Sequence, residues 1–76
     1  MNIGEAVRER IIELCRERDI SINKLCSMSG VTQSTVNNIV SGRNNSATIS
    51  TIKKLCDGLG ITIQDFFNAS LFMDLD

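Results

Sequence analysis

Gly30 stands between two short segments, each opened by a hydroxyl residue and each carrying apolar side chains at helical spacing: SINKLCSMSG, then VTQSTVNNIVSG. Ser21 and Thr32 are suited to accept a first-turn N–H as helix caps. Glycine is suited to the left-handed backbone that ends a helix. The stretch from 21 to 42 therefore predicts two short helices hinged over Ser29 to Val31, with Leu25 and Cys26 inward on the first and Val36, Ile39 and Val40 inward on the second. Gly42 is expected to close the second helix. Little else can be built from such a pattern. A strand reading would need alternation, but no hairpin dipeptide sits between alternating runs and no proline punctuates the chain.

The flanks continue the helical rhythm. Asn2 caps a first helix, with Glu5 as its capping-box partner and Ile3, Val7, Ile11 and Leu14 as one inward stripe. Thr48 opens a further helix that buries Ile52, Leu55, Cys56 and Leu59 and stops at Gly60. Thr62 and Asp65 form a capping box for a last short helix carrying Phe66 and Phe67. Five helices with short connections make a compact all-α bundle, and 76 residues are enough for one domain over 1–76. A tail over 68–76 keeps Leu71, Phe72, Met73 and Leu75, too apolar for an idle end. It either covers the open end of the bundle or makes a dimer contact.

Composition removes several function classes. No histidine is present, and Cys15, Cys26 and Cys56 form no C-x-x-C pair, so no metal site is expected. An odd number of cysteines inside apolar-periodic segments reads as three small buried hydrophobes. Without histidine or a paired nucleophile, no catalytic residues and no cofactor are expected, and the chain is not read as an enzyme. The amino terminus lacks the apolar run of a signal peptide, and no stretch could span a bilayer. The expected location is the cytoplasm, with no membrane partner.

Charge is informative by distribution. The formal net charge is −1, yet from Ile20 to Cys56 there is no Asp or Glu, while Lys24, Arg43, Lys53 and Lys54 fall there. Asp57, Asp65, Asp74 and Asp76 follow with no base among them. An acid-free middle beside an acidic end suits a surface that faces a polyanion.

The second helix of the hinged pair sharpens this. Projected at 100° per residue, Ser34, Asn37, Asn38 and Ser41 fall opposite the apolar stripe, with Gln33 exposed at the amino end. A face that needed only solubility would carry Glu and Lys. Amides carry a donor and an acceptor on one plane, and hydroxyls can serve as either, which matches the donor and acceptor patterns on major-groove base edges. Carboxylates would be repelled by phosphates, and lysines would bind with little discrimination. Two short helices with a glycine turn are the helix-turn-helix arrangement, whose second helix lies in the major groove.

From about Val7 to Phe67, through ISINKLCSMSGVTQSTVNNIVSG and TISTIKKLCDGLGITIQDFF, the chain resembles the phage repressor and Cro type of domain, the Xre family. The resemblance implies a lambda-repressor-like fold and a sequence-specific DNA-binding regulator of transcription, most simply a repressor. It implies base contacts from Thr32, Gln33, Ser34, Asn37 and Asn38. It implies phosphate contacts from Asn23, Lys24, Arg43, Asn44 and Asn45. Double-stranded DNA is the expected partner, bound by a homodimer on a palindromic site. Many members hold a buried arginine–glutamate pair where this chain has Cys15 and Val40, so those two side chains are expected to meet in an apolar exchange of the pair. Rival readings are an antitoxin with the same fold, whose second partner is a toxin protein, and a helical module that docks proteins and not DNA. Regulation by a small effector has no support in the sequence.

Overall fold

The computed structural model describes residues 1–41 and 47–76. Among them run five α-helices: α1 (Ile3–Glu17), α2 (Ile22–Ser29), α3 (Gln33–Val40), α4 (Ile49–Leu59) and α5 (Ile63–Phe67), followed by a 3-10 turn over Ser70–Phe72. The fold is all-α and compact.

Each helix begins where a cap residue stands. Asn2, Ser21, Thr32, Thr48 and Thr62 accept the backbone N–H of Glu5, Lys24, Thr35, Thr51 and Asp65. Each cap satisfies one of the N–H groups that a helix start leaves without a partner. The reciprocal box closes fully at α5, where Asp65 also accepts from the Thr62 N–H. At α1 the partner acts differently: Glu5 accepts from the Asn2 side-chain amide at 3.1 Å. Gly30 and Gly60 end α2 and α4 in the left-handed region, at φ 66° and 71°. Asp19 takes that conformation after α1, at φ 53°. Ser41 is the carboxyl cap of α3, so the helix stops one residue short of the expected end. Gly42, expected to close it, lies outside the described residues.

The core gathers Val7, Ile11, Leu14, Cys15, Leu25, Cys26, Val36, Ile39, Ile52, Leu55, Cys56, Leu59 and Phe66. Burying one such side chain contributes about 1.5–3 kcal/mol. All three cysteines are free thiols within it. Cys15 belongs to this cluster and Val40 packs against it. Ile3 does not join the stripe expected for α1 and is 52% exposed. A helical side chain leans toward the amino end of its helix, and at the first position that direction leads away from the bundle.

Two contacts hold the helices in place without any local signature. Arg10, 9% exposed, donates from Nε to the Phe66 carbonyl at 2.7 Å and from Nη2 to the Asp65 carbonyl at 2.9 Å. Its third nitrogen meets Glu13. The guanidinium thus closes the end of α5 over the Phe66 carbonyl and adds a second donor to the Asp65 carbonyl, which also accepts the Asn68 N–H at 3.3 Å. The other contact is Gly58 of α4 against Ser29 of α2. A Cβ at position 58 would lie 2.2 Å from Ser29 Oγ and 2.9 Å from Ser29 Cα. The helices cross at that point because there is no side chain between them.

The tail folds back on the bundle. The Phe72 ring lies 4.9 Å from that of Phe67 and 6.2 Å from that of Phe66, centroid to centroid. The Asp76 N–H donates to the Met1 carbonyl at 3.2 Å. Leu71 and Leu75 are half-buried, while Met73 points outward.

Candidate nucleic-acid interface

Buried Leu25 and Cys26 fix α2 to the core, and buried Val36 and Ile39 fix α3. With the inward positions committed, the opposite sides of the pair are left to solvent. On α3, Gln33, Ser34 and Asn37 are exposed, as are Thr32 before it and Ser41 after it. Asn38 is half-buried, so it sits at the edge of this face and not at its centre. On α2, Asn23 and Lys24 are exposed. Arg43, Asn44 and Asn45 lie outside the described residues.

The exposed groups are organised. Gln33 Nε2 donates to Asn23 Oδ1 and so ties the first residue of α3 to the first turn of α2. Nothing in the local pattern announced this pair; the only hint was an amide in the first turn of both helices. Thr32 Oγ1 accepts the Thr35 N–H at 3.4 Å and lies 2.7 Å from Thr35 Oγ1 and 3.4 Å from Ser34 Oγ. Its oxygen is therefore engaged in the cap. Ser41 Oγ donates to the Asn38 carbonyl at 3.3 Å.

The first turn of α3 carries no acidic residue, and neither does that of α2. Helix amino ends carry partial positive charge and outward N–H groups, so both starts favour an anion such as a phosphate. Lys24 is the one cation of the two helices. Among the described residues no group of three His, Cys, Asp or Glu side chains could hold a metal ion. No helix among them is long and apolar enough to cross a membrane.

Two short helices at a glycine turn, with the second presenting uncharged donors and acceptors, define a helix-turn-helix DNA-binding domain. The chain belongs to the Cro/C1-type HTH DNA-binding domain family, whose model matches residues 10–70. It is a member of a DNA-binding, non-enzymatic family. Among solved structures it is similar to the crystal structure of the prophage Lp1 protein 11, with 38% sequence identity and a TM-score of 0.84. That similarity covers 99% of this chain and 100% of the other. No curated protein matches the sequence.

Proposed function

We propose that the protein is a sequence-specific transcriptional regulator, a repressor that occludes a promoter, bound to a palindromic site as a homodimer. In this reading Thr32, Gln33, Ser34, Asn37 and Asn38 meet base edges, while Asn23, Lys24, Arg43, Asn44 and Asn45 meet phosphates. The observation that carries it is the Gln33–Asn23 hydrogen bond at the exposed start of α3. An amide held by a neighbour is preorganised for recognition. Gln33 Nε2 uses one of its two hydrogens on Asn23, leaving the other hydrogen and Oε1 for a base. Adenine, with N7 as acceptor and N6 as donor, matches that pair, whereas guanine offers two acceptors. Asn23 keeps its own Nδ2 for a phosphate oxygen, so one contact orients the other.

The test is selection from a random duplex pool, followed by fluorescence anisotropy of the recovered duplex across a salt series. A palindromic consensus is expected. Gln33→Ala should cost about 1–3 kcal/mol and relax the sequence preference at one position of each half-site. Lys24→Ala should weaken binding to all sequences alike and lower the salt slope by about one for each subunit. No enrichment from the pool would overturn the reading in favour of a protein-docking module. Sequence-blind binding would leave DNA binding and remove the regulator.

A further inference from the structure

We infer that N6-methylation of the adenine read by Gln33 closes the site to this protein, so that the methylation state of the duplex decides whether it is bound. The inference rests on the Gln33–adenine contact proposed above and adds its regulation. Gln33 Nε2 donates one hydrogen to Asn23 Oδ1. Its second hydrogen and Oε1 have no partner among the described residues, and these are what the amide offers a base. On a paired adenine, N7 accepts, and the N6 hydrogen outside the base pair donates into the major groove. A methyl group on N6 keeps the base pair only by taking the place of that hydrogen. It then removes the donor that Oε1 needs and stands beside N7.

The protein gives Gln33 no way round the methyl. Turning its amide over would set Oε1 against Asn23 Oδ1, acceptor against acceptor. Turning both amides over would point two hydrogens at the methyl group. The anchor does not yield either. Asn23 lies in the first turn of α2, which buried Leu25 and Cys26 root in the core and whose Ser29 abuts Gly58 of α4. A free glutamine could swing aside and forfeit only its own bonds. A held one also meets the methyl, and its Oε1 stays at the interface without a donor. The exposed side chains of α3, Gln33, Ser34 and Asn37, are all polar, so the helix offers the methyl no apolar contact in exchange.

The experiment is fluorescence anisotropy at one salt concentration, with the full chain and its Gln33→Ala variant, on three forms of the duplex recovered by selection. One form is unmethylated, one carries N6-methyladenine at the Gln33 position of both half-sites, and one carries it only at an adenine outside them. The Gln33 position is the one whose preference Gln33→Ala relaxes. Gln33 is exposed, so the variant should fold as the parent does. The expected result for the unaltered protein is a loss of at least about tenfold per methylated half-site, and none on the third form. Gln33→Ala should bind methylated and unmethylated half-sites alike, and so hold the methylated duplex more tightly than the unaltered protein does. Equal binding of both by the unaltered protein, with Gln33→Ala still relaxing that position, would overturn the inference and leave the regulator standing. A base other than adenine there, or no relaxed position at all, would do the same. An equal methylation loss in both proteins would place the effect in the duplex and overturn the inference too. A pool without enrichment would remove the regulator and this inference together.

Discussion

Arg10 shows how much one side chain can hold. It is a cation with little access to water, and its fork serves the Phe66 carbonyl and adds a second donor to the Asp65 carbonyl, which also accepts the Asn68 N–H. Arg10→Ala should therefore lose about 2–4 kcal/mol of stability, since it strands the Phe66 carbonyl as well as removing the bonds. Arg10→Lys should recover only part of this, because an ammonium cannot serve both oxygens in one plane. Urea denaturation of the variants measures both. In the sequence Arg10 is one of four arginines interleaved with glutamates over the first eighteen residues. Its carbonyl partners are more than fifty residues away, and no local spacing encodes that distance. The cysteines were legible for the opposite reason, since each lies on a stripe whose period is local. Burial pushes the thiols of Cys15, Cys26 and Cys56 up, with Cys26 adding to the effect on Cys15 and Arg18 opposing it. The folded state thus holds these protons more tightly than the unfolded chain. That contribution to stability is complete below the ordinary thiol range, near 8.5, and is lost as pH rises through the raised folded values. Melting temperature should fall as the pH is taken above about 9, and a thiol reagent at pH 7.5 should label the protein only after denaturant is added.

At the scale of helices, local chemistry and crossing geometry divide the account. All five caps could be read from the sequence because a cap acts across three residues. The crossing of α2 and α4 could not, because Gly58, in the last turn of α4, reads only as a poor helix former. Propensity alone would have Gly58→Ala stabilise α4 by roughly 1 kcal/mol. The structure reverses that sign: the added methyl meets Ser29 Cα, which is backbone and cannot step aside. A net loss of about 1–3 kcal/mol is expected, read from the midpoint of chemical denaturation. Ser29→Ala should be neutral or mildly stabilising, because Ser29 Oγ is buried with no hydrogen-bond partner among the described residues. The edge position of Asn38 belongs to this scale too. An ideal projection puts it on the outer face, but how deep a face sits depends on the neighbouring helices.

For the whole molecule, the acid-free middle and the neutral face of the second helix of the pair point to DNA in the sequence itself, and the family membership agrees. The organisation of that face was not legible, since the Gln33–Asn23 bond spans two helices whose relative placement only packing decides. The α2–α4 crossing has a further consequence, felt outside the protein. With backbone against side chain and no methyl of slack, α2 cannot slide over α4, and α3 moves only as α2 allows. A reading helix held this firmly keeps its place within the subunit, so on the palindromic site proposed above the duplex must bend or twist to suit it. The cost then depends on how stiff the intervening base steps are. On that proposed site, changing the bases between the two half-sites should therefore alter affinity, and anisotropy on a set of duplexes that differ only there will show it.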